Sequence, residues 1–129
     1  MASVSSAVRT AIVNANISGV TTKVFRDIAP DSTAYPFITF EDDLDRTPSL
    51  QGDAVVLARN KTMNVSLWQN LDSEDVDLIE SLMTAVDGVN LSGADKTIFR
   101  CRVANVNRRA EVPDNVCHHS HVVTVTHSN

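Results

Sequence analysis

The sequence predicts an α+β domain, a mostly antiparallel (mixed) sheet of about five to six strands flanked by an N-terminal helix and by a second helix near residues 72–87. Three observations predict it. Two windows repeat apolar residues at helical spacing, several others alternate with period two, and every glycine (19, 52, 88, 93) and proline (30, 36, 48, 113) falls between those windows. With 129 residues the chain accommodates one domain, residues 1–129.

In order, Val4, Val8, Ala11, Ile12 and Ala15 give a short amphipathic helix from Ser3 to Asn16, with Ser3 or Ser5 as cap and Ile17-Ser18-Gly19 as its end. Thr21 to Ile28 is rich in β-branched and aromatic residues and predicts a strand, and Ala29-Pro30-Asp31-Ser32 a turn. Pro36 to Glu41 predicts a second strand with Phe37 and Thr39 on one face and Ile38 and Phe40 on the other, a pattern suited to a central or inter-subunit position. Asp42 to Gln51 is polar and breaks periodicity, which predicts a long excursion before β character resumes at Ala54 to Ala58. Thr62 to Trp68 alternates cleanly, Met63, Val65 and Leu67 inward. Trp68 then falls on the polar face, predicting either a second small core under the first helix or an apolar patch that a partner covers. Asp72 to Asp87 predicts the second helix, with Val76, Ile79, Leu82, Met83 and Val86 as its stripe, Asp72, Glu74 and Asp75 at its positive end and Gly88 closing it. Thr97 to Asn107 alternates Phe99, Cys101 and Val103 inward against Arg100 and Arg102 outward. Asn107 to Asn115 predicts a basic-then-acidic turn, and Val116 to His127 a last strand with less regular alternation.

Composition excludes several functions. At 43% hydrophobic and 21% charged the chain is not a disordered tail, and no apolar run approaches the roughly 20 residues of a membrane-spanning helix. Met1 to Val8 shows no secretory pattern, and two cysteines, Cys101 and Cys117, suit a reducing cytoplasm better than a disulfide scaffold. A net charge of −5 has the wrong sign for a general DNA binder, and the arginines at 100, 102, 108 and 109 lack interleaved aromatics. No nucleophile elbow, phosphate loop or dinucleotide fingerprint is present, so no catalytic or cofactor-binding residue is assigned and no cofactor is expected. Cys117-His118-His119-Ser120-His121 is the one run with metal-ligand chemistry, His119 and His121 falling at alternate strand positions. The sequence shows no second ligand pair to complete a shell, so these residues are expected to be structural or half-exposed and no metal ligand is assigned.

Some segments carry a resemblance. The helix Val8-Arg9-Thr10-Ala11-Ile12, the strand Thr22-Lys23-Val24-Phe25, the turn Ile28-Ala29-Pro30 and the strand Tyr35-Pro36-Phe37-Ile38-Thr39-Phe40 follow one another. A strand ending Leu67-Trp68 then precedes the helix Val76-Asp77-Leu78-Ile79. This order resembles the tail terminator (tail completion) proteins of long-tailed bacteriophages and prophages. The resemblance implies a non-enzymatic virion protein that forms a hexameric ring on the head-proximal end of the tail tube. Such a ring ends tube polymerisation and offers the head-joining surface. The implied partners are further copies of the chain, the tail tube protein and a head-side connector or neck protein, with DNA passing through the lumen unbound and no membrane contact. The implied location is the tail or neck of a virion assembled in the host cytoplasm. The alternatives are another neck or head-completion ring protein, or a small metal-dependent enzyme using Cys117 to His121. The subunit interface is expected at the acidic group Glu41, Asp42, Asp43 and Asp45 and the basic group Arg100, Arg102, Arg108 and Arg109, with apolar contact from Leu44, Leu50 and the stretch 54–57.

Overall fold

A computed structural model describes residues 4–51, 55–87 and 98–128. The elements run α1 (Val4–Asn14), β1 (Val24–Arg26), β2 (Phe37–Gln51), β3 (Val55–Asn70), α2 (Val76–Val86), β4 (Ile98–Glu111) and β5 (Val116–Ser128). Single 3₁₀ turns precede α2 (Leu71–Ser73) and β5 (Val112–Asp114). The five strands form one mixed sheet in the order β1-β2-β3-β5-β4. β1 pairs parallel to β2, and the other three pairings are antiparallel. This is the α+β architecture the sequence predicts.

Both helices cover one face. From α1 come Val4, Val8 and Ile12, from α2 Leu78, Leu82, Ala85 and Val86. They meet Ile38 and Phe40 of β2, Met63, Val65 and Leu67 of β3, Cys101 of β4, and Val123 and Val125 of β5. Ile38, Met63, Leu67 and Leu82 are fully buried, and each such side chain contributes about 1.5–3 kcal/mol of transfer free energy. The alternation of β3 therefore holds as expected, and that of β2 places Phe37 on the uncovered face and Ile38 against the helices. The side chain of Phe99, expected inward, lies outside the described residues.

Several boundaries differ from the sequence expectation. Asp42 to Gln51 is no excursion: β2 continues through it and pairs with β3 along most of its length. Its polar residues are weak strand formers, but a partner strand outweighs local preference. The irregularity is confined to register shifts between Asp42 and Arg46 and between Ser49 and Leu50. β3 is likewise one strand of 16 residues, roughly 50 Å at 3.3 Å per residue. At the other end β4 runs to Glu111, so Arg108 and Arg109 stand on a strand and the turn is only Val112 to Asn115.

The helices are also shorter. α1 ends at Asn14 and Asn16 takes the left-handed conformation beyond it, φ 51°. Ser5 lies inside α1 and is buried, so it does not cap it, and Ser3 is outside the described residues. Gly19 serves the next turn instead: its φ is +79°, and a Cβ there would sit 3.1 Å from Pro36 Cγ. α2 begins at Val76, with Asp75 as its cap accepting from the Asp77 N–H at 2.9 Å, while Asp72 and Glu74 precede the helix. The buried Gln69 amide sets that start by accepting from Asp75 N at 2.8 Å and donating to Asp75 O at 3.2 Å. Of the expected stripe, Leu82 and Val86 are buried and Ile79 packs against the core, whereas Val76 is 64% exposed and Leu78, not expected inward, is buried. The expected helix stop, Gly88, is outside the described residues; Asp87 N–H closes onto Met83 O at 2.7 Å.

Candidate functional site

Strand order decides where the two expected charge groups lie. β1 covers β2 only from Ile38 to Phe40. Beyond Phe40, among the described residues, no strand pairs with β2 on the side away from β3. Glu41, Asp42, Asp43 and Asp45 all lie on this stretch of β2, Glu41 opposite Asn64 and Asp42 opposite Met63. Arg100, Arg102, Arg108 and Arg109 all lie on β4, which pairs with β5 alone and forms the opposite edge. The structure thus places the two groups on opposite edges of one sheet.

The four arginines divide by strand alternation. Arg100, Arg102 and Arg109 are exposed on the face away from the helices, opposite Thr126, Thr124 and His118 of β5. Arg108 turns to the helix side, opposite His119. There it grips Glu74 with two bonds, Nε to Oε2 and a terminal nitrogen to Oε1, each 2.8 Å. His119 Nε2 stands 2.7 Å from the same Oε2. The Arg108 hydrogen bond is the main reason the Glu74 carboxyl is held down at about 2, and the carboxylate in turn raises Arg108. Glu74 is therefore an anion at every physiological pH, tying the entry to α2 onto β4 and β5.

The histidine run is less exposed than expected. Cys117, His119, His121 and His127 occupy alternate positions of β5 on the helix-facing side, and all are buried. Burial pushes the Cys117 thiol up and the His121 imidazole down, which keeps both neutral near pH 7. His121 Nδ1 lies 3.1 Å from His119 O. Cys117, His119 and Glu74 converge, a ligand atom from each lying within 4.8 Å of the others. Sequence reading missed Glu74 here because it precedes β5 by more than forty positions and reads locally as a helix-end acid.

The uncovered face carries an aromatic row. Phe37, Trp68, His118 and Arg109 are direct neighbours across β2, β3, β5 and β4. Trp68 stacks on His118 at 4.5 Å and on Phe37 at 6.2 Å, and Phe37 stacks on Tyr35 at 5.2 Å. The Trp68 indole N–H donates to Thr39 Oγ1 at 2.9 Å. Trp68 thus does not pack under the first helix, which lies on the other face. Beside the row opens a cleft of about 330 Å³ lined by Asp27, Ile28, Pro30, Tyr35 and Trp68 among others, with Ile28 79% exposed. No helix among the described residues is long and apolar enough to cross a membrane.

No protein-family model and no curated protein matches the sequence. Among solved structures, the chain is similar to one from the virion of a native gene transfer agent particle. The TM-score is 0.68 at 11% identity, over 98% of each chain. At that identity the likeness is one of fold.

Proposed function

We propose that this chain is a structural virion protein that forms a homomeric ring, on the tail terminator pattern, at the head-proximal end of a tail tube. The ring ends tube polymerisation and presents the surface to which the head joins. The observation that carries this reading is the separation of charge across the sheet: an acidic strand edge on β2 and an arginine-bearing edge on β4. A ring requires two different, complementary surfaces on each subunit, and opposite edges of one sheet are such a pair. A strand edge supplies directional backbone hydrogen bonds, and opposite charge selects the partner edge and its register. Six copies close the ring, in the tail terminator pattern. The fold shared with a virion chain over its full length supports the same class. In this reading the chain catalyses nothing, holds no cofactor for its assembly role, and lets DNA pass without specific contact.

Arg108 is engaged by Glu74 within the chain, so the arginines available to a neighbour are Arg100, Arg102 and Arg109. The test is made in the particle-producing cell. Deleting the gene is expected to give overlong tails that fail to join heads. Tails of normal length lacking heads assign the chain to another neck component, and normal joined particles end the reading. Arg100→Glu with Arg102→Glu should abolish infectious or transferring particles, and Glu41→Lys with Asp42→Lys in the same gene should restore them in part. An unchanged titre for the arginine pair removes β4 from the interface.

A further inference from the structure

β5 carries Cys117 and His119 two residues apart on its helix-facing side, and the loop before α2 lays Glu74 over them. A sulfur, an imidazole nitrogen and a carboxylate oxygen therefore lie within 4.8 Å of one another. Cys117 and His119 are buried, whereas the Glu74 side chain is 16% exposed and its Arg108 partner 49%. The cluster is closed by protein on the sheet side and reaches solvent past Arg108. Thiolate, imidazole and carboxylate together form a donor set of intermediate softness, the kind zinc and cobalt(II) prefer over magnesium or calcium.

We propose that Glu74, Cys117 and His119 form a binding site for a zinc-class divalent cation, with Arg108 as the group the cation displaces from the carboxylate. Glu74 contributes its charge without losing a proton, because it is already ionised. The Cys117 thiol gives its proton to solvent as the sulfur–metal bond forms. His119 ligates through Nε2, the nitrogen that now faces Glu74. Its Nδ1 is buried and has no hydrogen-bond partner among the described residues. Arg108 is exposed enough to swing away, which opens the path of entry and leaves the fourth position to water. The bound ion would clamp the start of α2 to β5, where one carboxylate now bridges a guanidinium and an imidazole.

Cobalt(II) is the probe, titrated into the reduced, purified full-length chain while thiolate-to-cobalt charge-transfer absorption is followed. One equivalent should produce the band, and zinc should abolish it. Cys101→Ser should keep it and Cys117→Ser should lose it. Arg108→Gln should bind more tightly, because the competing cation is gone. If circular dichroism shows that Cys117→Ser does not fold, Glu74→Gln is read instead, with an expected loss of about tenfold in affinity. Absence of the band in the natural chain at saturating cobalt(II) overturns the site. So does a band that survives Cys117→Ser, or an affinity unchanged by Arg108→Gln or by Glu74→Gln. None of these outcomes bears on whether the chain forms a ring.

Discussion

Leu82→Ala tests the packing of α2 against the sheet. Leu82 is fully buried against the sheet, whereas Val76, six residues earlier on the same helix, is 64% exposed. Replacing Leu by Ala removes three carbon units, and at about 0.8 kcal/mol each this forfeits about 2.4 kcal/mol of transfer free energy. The neighbours of Leu82 come from a helix and a sheet that cannot both collapse, so a residual cavity brings the expected cost to about 3–4 kcal/mol. Val76→Ala removes two carbons that are mostly in water already and should change stability by less than about 0.5 kcal/mol. Urea unfolding followed by tryptophan fluorescence reads both, since Trp68 is the single indole. With a slope near 1.5 kcal/mol/M, the Leu82 variant should shift its midpoint down by about 2–2.7 M. Equal costs for the two variants, or a larger one for Val76, would refute the burial of Leu82 and the exposure of Val76.

Two further outcomes concern pH and the backbone. Burial holds the folded pKa of His121 below its ordinary value near 6.5, so the stability of the neutral imidazole is complete above about 6.5 and is lost as pH falls below it. Glu74, held at about 2 against 4.5, adds a second loss of the same sign between about pH 4.5 and 2. Urea midpoints measured from pH 8 to 3 should fall in these two stages, and Glu74→Gln should flatten the second one. A midpoint that rises on acidification from pH 8 to 5 would contradict the first stage. Gly19→Ala should cost about 1–2 kcal/mol in thermal unfolding, because φ +79° strains any Cβ and Pro36 leaves it only 3.1 Å; an unchanged melting temperature would show that the turn relaxes freely.

The parts of this molecule legible in the sequence are those in which a residue's partner is water or the common core. Met63, Val65 and Leu67 alternate because one face of β3 is dry, and that alternation is visible in a window of seven residues. β5 alternates just as strictly once histidine is counted with the core, with Cys117, His119, His121, Val123, Val125 and His127 all inward. It reads as irregular only because imidazole is scored as polar. The parts that were not legible depend on a specific distant partner. Asp42 to Gln51 has poor strand propensity and is a strand because β3 lies alongside it. Glu74 reads as an ordinary acid at a helix start, and its chemistry comes from Arg108, 34 residues on, and His119, 45 residues on. Adjacent arginines at 108 and 109 likewise read as one basic patch, yet on a strand consecutive side chains must point to opposite faces. One is spent inside the chain and the other lies on the open face beside His118. The same rule of alternation bears on assembly. A strand edge offered to a neighbour brings two rows of side chains, one on each face of the sheet. Arg108, bound to Glu74, holds the helix-side row of β4 in place. Arg100, Arg102 and Arg109 form the exposed row on the other face, which in the proposed ring would meet the acidic edge of another copy. An edge that kept all four arginines on one side would have no such internal anchor, and its register against a neighbour would rest on mobile surface charges alone.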